Sequence, residues 1–210
     1  MKSFFKHALA AAAIVAVTVG GAHASAITTL YSTGVDNGGA LLANGAVDTH
    51  YTVTPGGGPF TIGNPAGVGW VGNTAGSQWI SAAADTLAGP GPFTYTTVFD
   101  LTGYDPLSAA ISGEIASDNQ GTIWLNGVQV GTDAFPGWRQ LSAFSITSGF
   151  QAGVNTLKFV VPNFQVVGGN DGPTGLQVHM HGTVPEPTSL ALGGIALLLA
   201  LRSTRRRQAA

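Results

Sequence analysis

Between Ile27 and Gly182 apolar and polar residues alternate in short stretches, and no segment sustains a helical period. The clearest strand is Phe93–Leu101, where Phe93, Tyr95, Thr97, Phe99 and Leu101 alternate with Thr94, Thr96, Val98 and Asp100. Ala109–Ala116 places Ile111 and Ile115 on one face and Ser112 and Glu114 on the other. Gly121–Leu125 and Val128–Val130 flank Asn126-Gly127, a hairpin signal because both residues tolerate positive φ. Further strands are expected at Ala143–Thr147, Thr156–Val161 and Gly175–Gly182, and earlier at Ile27–Ser32, Thr49–Thr54 and Trp79–Ala82. The Gly/Pro clusters Pro55–Pro59, Gly89–Pro92 and Gly168–Gly175 read as loops. About nine short strands punctuated by turns predict an all-β fold, an antiparallel β-sandwich or jelly roll.

The two ends follow other patterns. Met1–Lys6 is basic and Ala8–Val19 is apolar. The small-x-small sites Ala22-His23-Ala24 and Ala24-Ser25-Ala26 follow. That order predicts a signal peptide over residues 1–26, helical in its apolar part and cleaved at Ala24 or Ala26. At the other end, Val184-Pro185-Glu186-Pro187 precedes an apolar stretch over residues 188–201, expected to be helical, and then Arg202, Arg205, Arg206 and Arg207. A bilayer core of about 30 Å takes about 20 helical residues, so this stretch is a short span. The arginines behind it supply a cytoplasmic stop. The chain thus divides into a signal peptide (1–26), a β-sandwich (27–182) and a tail (183–210).

Composition narrows the function classes. Of 210 residues, 42 are Gly or Pro, charged residues make 9%, and there is no Cys. Disulfides, Cys-ligated zinc and thiolate catalysis are therefore excluded. The domain carries nine acids against Arg139 and Lys158, a net charge of −7, which argues against nucleic acid as a partner.

The Val-Pro-Glu-Pro motif, the short apolar segment and the Arg-rich end together resemble the PEP-CTERM sorting tail of Gram-negative bacteria. The resemblance implies an exosortase as processing partner, with Pro185, Glu186 and Pro187 recognised as substrate. It also implies export, transient anchoring in the inner membrane, and delivery to the cell surface or an exopolysaccharide matrix. Within the domain, Phe99-Asp100-Leu101-Thr102-Gly103, Ser117-Asp118-Asn119, Trp124-Leu125-Asn126-Gly127 and Ala152-Gly153-Val154-Asn155-Thr156-Leu157 are similar to galactose-binding-like jelly rolls. That fold hosts sugar binders, adhesins and inert spacers alike.

Candidate chemistry is sparse. Gly67-Val68-Gly69-Trp70-Val71-Gly72 has the spacing of a dinucleotide fingerprint but lacks a strand–turn–helix context, and reads as a loop. No Gly-x-Ser-x-Gly or His-Glu-x-x-His motif occurs. Glu114 is the only Glu of the domain, with Asp100, Asp105 and Asp118 as available partners for a glycosidase pair. His179-x-His181, beside Gln177, reads as a solvated strand face opposite Leu176, Val178 and Met180; Asp48-Thr49-His50 is a second unspecific ligand pair. Calcium is the ion best matched to loop oxygens, with Asp36, Asp48, Asp118 and Asp171 as candidate ligands. For a sugar, Trp70, Trp79, Trp124 and Trp138 are the aromatic platforms, and Trp138 with Asp118 and Asn119 is the leading candidate site. The expected function is non-catalytic contact with extracellular polysaccharide, by binding or as a matrix component; the alternative is a secreted polysaccharide-processing enzyme.

Overall fold

The structure is a computed structural model that describes residues 24–63, 65–164 and 172–185. Among the described residues, eleven strands form two antiparallel sheets. Strands β1 (Ala24–Ala26), β3 (Phe60–Ile62), β4 (Trp79–Ser81), β6 (Ala110–Asp118), β9 (Ser142–Ile146) and β11 (Gly175–Pro185) make the first, in the order β3-β4-β11-β6-β9 with β1 paired to β11. Strands β2 (Thr52–Thr54), β5 (Phe93–Asp100), β7 (Thr122–Leu125), β8 (Val128–Thr132) and β10 (Val154–Val161) make the second, in the order β2-β5-β10-β7-β8. This is the expected jelly-roll sandwich.

Alternation along each strand builds the core, because successive side chains point to opposite faces. From β5, Phe93, Tyr95 and Phe99 turn inward, and Leu157, Phe159 and Val161 do so from β10. Ile111, Ile115, Leu176, Val178 and Met180 face them from the first sheet. A smaller apolar cluster of Ile62, Trp70, Trp79 and Ala116 lies outside this main core. Trp70 and Trp79 stack there at 4.2 Å. Gly175 admits them, since a Cβ at that position would sit 2.6 Å from Trp70 Cη2.

Several expectations shift. Ile27–Ser32 is not a strand: the chain turns at Leu30, whose N–H donates to Ile27 O. The Ser32 and Thr33 hydroxyls then bond the backbone of β11, beside a main-chain bond from Thr33 N–H to Val178 O. The sheet also extends past both expected domain limits, through Ala24–Ala26 on one side and to Pro185 on the other. The Gly67–Gly72 segment holds a 3-10 turn, Pro65–Val68, followed by irregular chain, as its reading as a loop requires. Among the described residues no helix is long and apolar enough to cross a membrane; residues 188–201 lie outside them.

Candidate functional site

The sequence-selected residues Asp118, Asn119 and Trp138 meet at one end of the sandwich. β6 ends at Asp118, which is buried, with 6% of its surface exposed. Its Oδ2 accepts from Trp70 Nε1 at 2.7 Å and its Oδ1 from Asn119 Nδ2 at 2.9 Å. Asn119 in turn accepts the Phe164 N–H on its Oδ1 at 3.1 Å and donates its own N–H to Pro162 O at 2.9 Å. Asn119 thus fastens the loop after β6 to the chain leaving β10. Asp118 is a support for this corner rather than a free ligand, because both its oxygens are engaged.

The loop after β8 closes over the same corner. Gln120 Nε2 donates to Asp133 O at 2.7 Å, and Asp133 N–H donates to Gly121 O at 2.8 Å. Phe135 follows, then a 3-10 turn at Gly137–Arg139. Trp138 packs on the Trp70–Trp79 cluster and meets Phe135 edge to face, centroids 5.8 Å apart. Val71 N–H donates to Trp138 O at 2.7 Å, fixing the turn to the Trp70 loop. The result is a rim in which Phe135 is 69% exposed, Phe164 is 66% exposed and Trp138 is half-buried. Asn119 and Gln120 belong to the loop after β6 at this corner, and the exposed Arg139 follows Trp138 in the 3-10 turn.

Beneath the rim sits a second buried acid. Asp133 Oδ2 accepts from Ser117 Oγ at 2.8 Å, while its Oδ1 has no partner. Burial pushes the Asp133 carboxyl above the ordinary carboxylate range, against the lowering effect of the bond from Ser117. Burial likewise raises Asp118, opposed by the Trp70 indole.

The other aromatic platforms sort clearly. Trp70 and Trp79 are core. Trp124 faces outward from the second sheet, half-exposed, in a cross-strand row with Lys158 and Gln129, its Nε1 donating to Thr122 Oγ1. Phe135 and Phe164 are the functional candidates that pattern reading passes over. Both stand beside proline-containing loops outside any alternating run, and that was the available signal.

The remaining ligand sets do not converge. Asp36 Oδ1 accepts from the Gly38 and Ala40 amides, closing its own turn. Asp48 is buried, its oxygens taking the Gly34 and His50 amides, and burial raises its carboxyl. Asp171 lies outside the described residues. Among the described residues no group of three His, Asp or Glu side chains is placed to hold a metal ion. His179 and His181 are exposed, with His181 Nε2 3.0 Å from Ser112 Oγ, but Gln177 is fully buried and donates to Ser77; that strand face is solvated only in part. Glu114 is exposed on the same face of β6 as Asp118, four residues away, which puts them about 13 Å apart along the strand. A glycosidase pair needs about 5–10 Å. Asp100 and Asp105 cap the Thr102 and Leu107 amides. Of the sorting motif, Val184 and Pro185 belong to β11; Glu186, Pro187, Ala22 and the four C-terminal arginines lie outside the described residues.

No protein-family model matches this chain, and no curated protein matches it. Among solved structures, it is similar to a family 35 carbohydrate-binding module from Paenibacillus barcinonensis at 18% identity, covering 63% of this chain and 94% of that one, with a TM-score of 0.35. A family 35 module from Clostridium thermocellum gives 13% identity over 63% and 90%, with a TM-score of 0.37. The module CsCBM6-3 from Clostridium stercorarium, in complex with cellobiose, gives 15% identity over 56% and 81%, with a TM-score of 0.31. Likeness at this level carries no functional weight, and the fold stands on its own strand pairing.

Proposed function

We propose that this chain is an exported, non-catalytic module that contacts extracellular polysaccharide through the rim formed by Phe135, Trp138 and Phe164. The observation that supports this reading is the bond from Phe164 N–H to Asn119 Oδ1, which ties the main chain of a second exposed aromatic residue to the corner where Trp138 meets Phe135. Flat aromatic faces take the apolar C–H faces of a pyranose, and neighbouring amide and guanidinium groups take its hydroxyls. The order of the terminal segments supports the rest: secretion by the signal peptide, then exosortase processing of the Pro-Glu-Pro tail, then residence at the cell surface or in the matrix. The spacing of Glu114 and Asp118 speaks against the hydrolytic alternative.

The test is binding of the purified protein to a panel of bacterial exopolysaccharides by affinity electrophoresis, alongside Phe135→Ala and Phe164→Ala. Retardation by at least one polysaccharide, lost in both variants, is the expected result. Migration unaffected by every glycan would leave a passive matrix component and refute the binding site.

A further inference from the structure

The ladder between β1 and β11 sets the two processing segments of the chain side by side. Ala24 pairs with Pro185, Ser25 with Val184 and Ala26 with Thr183. Beyond them, Ile27 N–H donates to Gly182 O at 2.9 Å. Antiparallel ladders alternate hydrogen-bonded and non-bonded pairs, so with Ile27 and Gly182 bonded, Ser25 and Val184 are the next pair to exchange bonds. On its other edge, β11 loses β6 after the pair Thr183–Ala110. Among the described residues, β1 is therefore the ladder partner of Val184 and Pro185.

The residue before the scissile bond in both small-x-small sites, Ala24 in one and Ala26 in the other, lies on β1. Cleavage after Ala24 leaves Ser25 and Ala26 on β11. Cleavage after Ala26 removes β1 whole, and Ile27, whose side chain is buried in the main core, becomes the first residue. Proteases engage a substrate as an extended segment through its backbone edge. A segment already paired as a strand must open before it is cut.

We propose that the position of signal cleavage governs access to the sorting segment. A mature chain that begins at Ser25 clamps Thr183–Pro185 as a strand, and one that begins at Ile27 leaves that backbone edge free for the tail-processing protease to pair with. The inference rests on the reading of the two termini given above.

The experiment uses the full chain, secreted by a host that carries an exosortase. Ala22→Leu blocks the first site and Ala26→Leu the second; Ala26 is exposed, so the larger side chain has room. Intact mass gives the mature N-terminus and the state of the tail, and hydrogen exchange reads the Val184 amide. The expected result is exchange at Val184 about tenfold slower in the Ser25 chain than in the Ile27 chain, the factor that one ladder hydrogen bond supplies, with slower loss of the tail. Equal exchange in the two mature chains overturns the proposal, as do tails lost from both at the same measurable rate or a signal peptide retained in both variants. A tail retained in both chains while Val184 still distinguishes them supports the clamp and refutes the sorting reading beneath it.

Discussion

Asn126 Nδ2 donates to Asn155 Oδ1 at 2.8 Å, joining the β7–β8 hairpin turn to the start of β10. Asn126 and Gly127 both take positive φ, 50° and 85°, in that turn. Asn126 Oδ1 accepts the Thr156 N–H, while Asn155, fully buried, also accepts the Gln151 N–H and donates to Gln151 O and Gly153 O. The Asn155 amide thereby uses all four of its bonding positions. Asn155→Ala strands several buried partners at once and is expected to cost about 3 kcal/mol. Asn155→Asp is expected to be no better tolerated, because it aims a carboxylate at two carbonyls. Urea denaturation checks both, and a loss below about 1 kcal/mol would contradict the hub.

The Trp70–Asp118 bond makes a separate claim. Trp70→Phe keeps a ring against Trp79 but removes the donor, leaving Asp118 Oδ2 buried without a partner. The expected cost is about 2 kcal/mol at neutral pH, with weakened glycan binding because Asn119 leans on the same carboxylate. A variant of unchanged stability would show that the indole contributes packing alone.

Acid should strengthen this corner of the domain. Asp118 and Asp133 both have carboxyls raised above 3.8 by burial. In the window above 3.8 the folded state holds protons that the unfolded state has lost. Their contribution to stability is therefore fully present below 3.8 and disappears as pH rises through the raised values. Asp133→Asn, neutral at every pH, is expected to be about 1 kcal/mol more stable than wild type at pH 8 and to flatten the dependence on pH. Melting temperatures from pH 4 to 8 decide; a wild-type slope that survives Asp133→Asn unchanged assigns it elsewhere.

The rim and the second sheet make opposite predictions. Phe135→Ala removes an exposed ring and is expected to abolish glycan binding while changing stability by less than about 0.5 kcal/mol. Trp138→Ala is expected to lose binding and stability together, because Trp138 also packs on the Trp70–Trp79 cluster. Trp124→Ala, on the outer face of the second sheet, is expected to keep binding. Parallel binding and melting measurements on the three variants separate the surfaces, and loss of binding in Trp124→Ala would move the site to the sheet face.

What could be read from sequence follows from the range of each signal. β5 was legible because one face is core and the other solvent, which leaves a clean period of two from Phe93 to Asp100. β3 was not, since three residues after the Pro55–Pro59 loop are too few to show a period. Ile27–Ser32 reads as strand rather than helix from its residue types, but without a clean period of two, and the Ser32 and Thr33 hydroxyls pair with β11 in ways that a local pattern does not encode. Local composition placed Asp118, Asn119 and Trp138 in loops, and the fold brought them to one corner. The burial of Asp118 was invisible because its partner, Trp70, lies 48 residues away. The exposure of Phe135 and Phe164 depends in the same way on loops that meet only in three dimensions.

The most direct measurement of the central claim is a calorimetric titration of the purified protein with a polysaccharide retained on affinity electrophoresis, repeated with the double variant Phe135→Ala/Phe164→Ala. Saturable binding in the wild type, absent from a double variant that melts at the same temperature, is the result this account expects. Binding of equal strength in both proteins would contradict it, because the aromatic rim would then have no part in recognition.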